Sequence, residues 1–243
     1  MKNNTWHYFV FMVVIMMAFK VNALAGVYTG EIPGNTIIPI QENHVRLIKE
    51  TIKIKDDVVN GLFTFKNTDE QEATVQMGFP FTQDTEPPLI RKDVIEVEVI
   101  NKIFVVRING KELEVSKKKI SENIRSGIGS KYEYMYVWSV NFKPKEEKVV
   151  ECIYGIRWAT DITYPSGSSF TFITKPGALW KNNIEQAEFY IKLDDYISKL
   201  LRQKKIQLEI KPKGYKIINY QTIKWHFINW KPKEDISITV WEK

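Results

Sequence analysis

VRLIKETIKI, residues Val45 to Ile54, alternates apolar with charged side chains. A period of two places the apolar set on one face of an extended chain, which is how a β-strand half buried on a sheet reads. Asp56-Asp57 follows as a turn, and Gly61 to Asn67 (GLFTFKN) resumes the extended pattern. After a polar turn over Thr68 to Gln71, Ala73 to Phe79 (ATVQMGF) rises as a further strand, which Pro80 is expected to stop. These segments read as antiparallel strands of one sheet.

The same period continues along the chain. Val94 to Ile100 and Ile103 to Ile108 are expected strands, and Asn109-Gly110 supplies the two residues that favour φ > 0 in a hairpin turn. Lys117 to Gly129 is polar and reads as a surface loop. Tyr132 to Phe142 is an aromatic strand, Lys143 to Lys148 a charged turn, and Val149 to Trp158 the return strand. Phe170 to Thr174, Ala187 to Leu193 and Ile206 to Ile210 are further strands. Asp194 to Lys205 is the one helical stretch, with Asp194 or Asp195 as its cap and Ile197, Leu200 and Leu201 as its apolar stripe. Ile223 to Trp230, the turn Lys231 to Asp235 and Ile236 to Trp241 are expected to close the chain as a hairpin.

Many short strands between polar turns predict an all-β fold of two packed antiparallel β-sandwich-like units with one short helix. Composition places an N-terminal β domain at 26–117, a loop or linker at 118–131, and a C-terminal β domain at 132–243.

The first residues carry an address. Lys2 and His7 precede the apolar run Tyr8 to Phe19; Lys20 ends it, and Ala23-Leu24-Ala25 follows. Basic, apolar, then small-x-small is the layout of a signal peptide, here residues 1–25, with cleavage expected before Gly26. A spanning helix needs roughly 20 apolar residues. An uncleaved anchor is the alternative. The expected location is secreted or extracytoplasmic, at the cell envelope, with no stable membrane insertion after cleavage.

The formal charge is +6, and Lys2 and Lys20 leave with the signal peptide. The remaining lysines are spread along strands and alternate with glutamates. That argues against nucleic acid, which asks for a clustered stripe, and leaves a weak attraction to an anionic envelope surface. The single cysteine, Cys152, forms no internal disulfide and sits in a β-like run (VVECIYGIRW), where a buried, inert thiol is expected.

No catalytic, cofactor-binding or metal-binding set is expected. His44 and His226 lack paired-ligand spacing, and one cysteine adds no tetrahedral set. Neither G-x-S-x-G nor a glycine-rich phosphate loop occurs in a plausible context. Paired carboxylates for glycoside chemistry leave no spacing; Asp56-Asp57 and Asp194-Asp195 are read as turn and cap residues. Among the tryptophans, Trp138, Trp180 and Trp225 are expected in the core, while Trp230 and Trp241, near strand ends, are the candidate ligand or partner surface.

Two stretches carry a family resemblance. One is Phe63-x-Phe65-x-Asn67-Thr68 followed by Val75-x-Met77-x-Phe79-Pro80. The other runs from Phe170 through Thr174, Gly177, Trp180 and Ile184 to Trp225-x-Phe227-x-Asn229-x-x-Pro232-x-x-Asp235-Ile236. Together they resemble a bacterial family of exported proteins known as domain of unknown function 4424. The chain departs from the family's T-G-x-x-W segment, since Lys175-Pro176 separates Thr174 from Gly177. It also lacks the cysteines of some members. The resemblance implies export and β architecture and brings no catalytic residues. The function expected is that of an exported, non-catalytic β-sandwich protein that binds another protein at the cell envelope. A carbohydrate-binding module, or a glycan hydrolase, is the alternative.

Overall fold

A computed structural model describes residues 37–40, 44–82, 87, 104–122, 124–125, 132–156, 159–161 and 167–243. The signal peptide, the strand expected at Val94 to Ile100, Trp158 and half of the expected linker lie outside the described residues. The fold is all-β.

In chain order the first strands are β1 (Ile38–Pro39), β2 (Val45–Lys55), β3 (Val58–Asn67), β4 (Ala73–Phe81) and β5 (Phe104–Ile108). Next come β6 (Lys111–Glu112), β7 (Ser116–Lys119), β8 (Tyr134–Phe142), β9 (Glu147–Gly155), β10 (Ala159–Asp161) and β11 (Gly167–Phe172). After a 3-10 turn at Lys175–Leu179 follow β12 (Ile184–Lys192), helix α1 (Asp195–Arg202) and β13 (Ile206–Lys211). The chain ends with β14 (Lys216–Ile218), β15 (Thr222–Trp230) and β16 (Ile236–Glu242).

Among the described residues, one sheet of eight strands has the order β14-β15-β12-β2-β3-β9-β5-β6. Two four-stranded sheets, β1-β4-β8-β7 and β10-β11-β16-β13, hold the remaining described strands. Ring contacts show which part of the long sheet each small sheet faces. Phe79 on β4 lies 4.5 Å from Phe104 on β5 and 4.8 Å from Tyr154 on β9. Phe172 on β11 lies 5.6 Å from Phe189 on β12. Two sandwich-like halves therefore share one sheet. Pairing is antiparallel with one exception among the described strands: β2 and β12, where the halves meet, run parallel.

The boundary between the halves differs from the one composition suggested. β8 and β9, from beyond 131, complete the first half, and the second half starts at β10. The polar stretch around Lys117 misled because Ser116–Lys119 is itself a strand, β7, exposed throughout at the margin of its sheet. An edge strand keeps lysines to discourage pairing with other chains. Pro80 does not end its strand either: β4 continues to Phe81, with Pro80 opposite Met135. Strand β1 covers only Met77 and Gly78, so that flank of β4 is unpaired at Pro80 among the described residues, where a missing N–H does no harm.

The terminal hairpin is also corrected. β15 lies between β14 and β12 in the long sheet, and β16 between β11 and β13 in a small one. Residues 231–235 cross between the sheets, held where Thr174 N donates to Asp235 Oδ1 (2.8 Å) and Thr174 Oγ1 to Glu234 O (2.7 Å). Trp225 on β15 and Ile236, Ile238 and Val240 on β16 are all buried, so the two strands pack across the core instead of pairing.

Trp138, Trp180 and Trp225 are core residues. Trp180 ties the fold together: its ring lies 4.9 Å from Phe65, its Nε1 donates to Ile37 O at 2.7 Å, and its carbonyl accepts from Lys231 Nζ at 3.3 Å. Burying a large side chain of this kind contributes roughly 1.5–3 kcal/mol. Asn109 and Gly110, at φ 53° and 76°, form the expected turn between β5 and β6.

Candidate binding cleft at the end of the long sheet

The parallel pair decides where chemistry collects. Ile191 stands opposite Ile54, so β2 and β12 end side by side at the same edge of the sheet. β2 is followed at once by Asp56-Asp57, and β12, after Leu193, by Asp194-Asp195. Asp56 and Asp57 form the β2–β3 turn, both left-handed at φ 50° and 60°. Asp194 caps α1: its Oδ1 accepts from Tyr196 N (2.6 Å) and Ile197 N (3.1 Å). The two pairs are the turn and cap residues that the sequence suggests, and in addition they line one cleft.

The cleft has a volume of about 410 Å³. Ile54, Leu193, Ile197 and Val240 give it an apolar floor, and Ser168, Lys192 and the four aspartates supply polar groups. Ile54, Leu193 and Val240 are buried. Asp56 is engaged by Lys55 at 3.5 Å. Four carboxylates against one lysine make the lining acidic.

A third segment reaches this end. Leu193 N donates to Gln221 O at 2.7 Å, which fixes the β14–β15 turn beside the start of α1. That turn is Asn219-Tyr220, left-handed at φ 52° and 56°. A bulky side chain at positive φ is uncommon, because its Cβ crowds the backbone. Tyr220 is nonetheless 55% exposed, and Tyr196 on the first turn of α1 is 64% exposed. Ile217 and Ile218, on β14, are exposed too. An apolar and aromatic rim thus stands next to an acidic cleft.

Trp230 and Trp241 do not form a shared surface. Asn229 is left-handed at φ 49°, which breaks the alternation of β15. The Trp230 ring stacks on Phe227 at 4.7 Å and meets the buried Phe189 edge-on at 5.5 Å, at the margin of the core. Trp241 lies on the other sheet, opposite Gln207 of β13, where its side chain hydrogen-bonds Glu209. His226 is exposed on β15 opposite Glu188, and the exposed His44 lies 3.6 Å from Asp69. Among the described residues, no group of three or more His, Cys, Asp and Glu is placed to hold a metal ion, and no helix is long and apolar enough to cross a membrane.

No family model matches the chain, and no curated protein matches it. A solved structure from Legionella pneumophila, described as "a putative nutrient binding protein", is similar in fold. Its TM-score is 0.64 at 22% identity, over 86% of this chain and 70% of that one. At that identity the likeness concerns the fold.

Two buried groups lie away from the cleft. Cys152 is fully buried, and burial, with Glu151 nearby, pushes its thiol well up, so the thiolate is disfavoured. Glu50 faces the core because β2 bulges between Leu47 and Lys49, which turns Glu50 onto the inner side with Ile52 and Ile54. Burial raises its carboxyl from 4.5 to about 8.

Proposed function

We propose that the protein is an exported, non-catalytic binding protein of the cell envelope, led out of the cytoplasm by residues 1–25, and that it takes a partner protein at the cleft end of the long sheet. The observation that carries this reading is Tyr220: a large ring, exposed, held at a left-handed turn position where glycine would sit without strain. Backbone strain of this kind persists where a side chain is needed. Its neighbours support a protein partner. Tyrosine and isoleucine on the rim resemble the anchors of protein interfaces, and the acidic lining favours a basic segment of the partner. The Legionella pneumophila structure's description supports binding over catalysis. The resemblance to domain of unknown function 4424 supports export.

The test is a photo-crosslinking amino acid at position 220 in the protein's own cell envelope. A discrete crosslinked protein, absent with the probe at the remote, exposed Glu112, is the expected result. No adduct, or the same adduct from both positions, overturns the reading. N-terminal sequencing of the envelope form is expected to begin at Gly26.

The two exposed tyrosines beside carboxylates favour a second reading, a polysaccharide. Retardation in affinity electrophoresis that is lost in Tyr196→Ala, Tyr220→Ala, without an adduct in the first test, would select it.

A further inference from the structure

The bulge that turns Glu50 inward has an effect on the opposite side of β2. It leaves Arg46, Lys49, Thr51, Lys53 and Lys55 on the outer face, so the alternation of lysine with glutamate seen in the sequence disappears in space. Arg46, Lys49, Lys53 and Lys55 are exposed, although β2 is an interior strand of the long sheet. At about 3.3 Å per residue they form a row of roughly 30 Å. Three of the carboxylates near this face are matched nearby, while the exposed Glu185 at the start of β12 acts on Lys66, the neighbour of Arg46. Glu188 meets Lys224 at 3.1 Å, Glu151 meets Arg107 at 4.0 Å, and Glu147 meets Lys66 at 2.7 Å. Arg46, Lys49 and Lys53 have no ion pair among the described residues, and Lys55 pairs only with the turn residue Asp56. Gln186 on β12 and Thr64 on β3 flank Lys49 with hydrogen-bonding groups, while Asn60 is held by Glu151 at 2.8 Å and Tyr190 by Glu188 and Lys224.

We infer that this face docks a linear anionic polysaccharide lying along β2, its carboxylate or phosphate groups against Arg46, Lys49 and Lys53. A row of cations along one strand suits an extended chain, with Gln186 and Thr64 on the adjacent strands to meet the sugars. A bilayer would call for apolar side chains at the centre of the face. The exposed apolar residues Ile228 and Val149 instead stand apart, on β15 and β9. The row meets the acidic cleft at Lys55 and Asp56, but Arg46, Lys49 and Lys53 do not line the cleft, and their role does not depend on the partner there.

The experiment measures binding of the protein to polygalacturonate, which carries a carboxylate on each sugar, at rising salt. Uncharged dextran serves as control, and vesicles of phosphatidylcholine with phosphatidylglycerol form a second arm. Binding to polygalacturonate that weakens steadily with salt is expected. Arg46→Gln, Lys49→Gln, Lys53→Gln should lose tenfold or more with an unchanged melting temperature. Lys111→Gln, Lys118→Gln, Lys119→Gln, an equal charge change on the exposed residues of β6 and β7, should keep wild-type affinity. Three results overturn the inference: no binding by the wild type, equal losses in both triple variants, or vesicles bound more tightly than the polymer.

Discussion

Ile54 and Ile191 are neighbours across the parallel pair β2–β12, and this register is what sets Asp56-Asp57 beside Asp194-Asp195. The cleft is a product of topology: strands far apart in the chain end together, and each hands its turn or cap residues to the same opening.

Asp194 holds the helical wall of that opening. Replacing it with alanine removes the acceptor for Tyr196 N and Ile197 N and should cost about 1 kcal/mol. In a protein of this size that lowers the melting temperature by roughly 2–4 °C. Asp194→Asn keeps the acceptor and should recover nearly all of the loss. Calorimetry of the two variants separates the cap from the charge.

Tyr220 carries opposite demands of stability and binding. Tyr220→Gly should stabilise the fold by about 1 kcal/mol, since glycine takes positive φ freely. Tyr220→Ala removes the ring without relieving the backbone and should not stabilise. Both should weaken partner capture. Urea unfolding with a capture assay checks the pair, and a destabilised glycine variant would contradict the geometry.

Glu50 predicts a stability that falls with pH. In the unfolded chain its carboxyl titrates near 4.5, and in the folded protein near 8. Between those values the folded state holds a proton that the unfolded state has released, so stability is greatest below the lower value and declines towards the upper, by at most about 1.4 kcal/mol per pH unit. Glu50→Gln should flatten this dependence and melt higher than wild type at pH 8. Melting curves from pH 5 to pH 9 measure it.

Trp180 is the fourth stability site. Trp180→Phe keeps most of the packing on Phe65 but leaves the Ile37 carbonyl without its donor, a loss of about 1–3 kcal/mol. Trp180→Ala should lose about 3–5 kcal/mol. Chemical denaturation should rank the two in that order.

What could be read from the sequence was local. The period of two, the Asn109-Gly110 turn and the Asp194 cap each rest on a few adjacent residues whose backbone preferences decide the outcome. Partners of strands were harder. Ile223 to Trp230 and Ile236 to Trp241 look like a hairpin because neighbours in sequence usually pair, yet the hydrogen bonds from Thr174 to residues 234 and 235 carry the chain to the other sheet. Trp230 reads as a surface ring because it stands near a strand end; one left-handed residue, Asn229, sets it beside Phe227 at the core margin. The cleft depends on the β2–β12 register, and nothing in either strand's own residues announces a parallel neighbour.

Proteins that capture ligands between two lobes commonly do so by bending at a hinge. Here the long sheet runs unbroken from one half to the other, and β2 is hydrogen-bonded to β3 on one side and β12 on the other. Bending the halves apart would tear that ladder. Closure around a ligand is therefore left to turns and side chains. The molecule should engage its partners with a mouth already shaped, and the two halves should melt in a single transition.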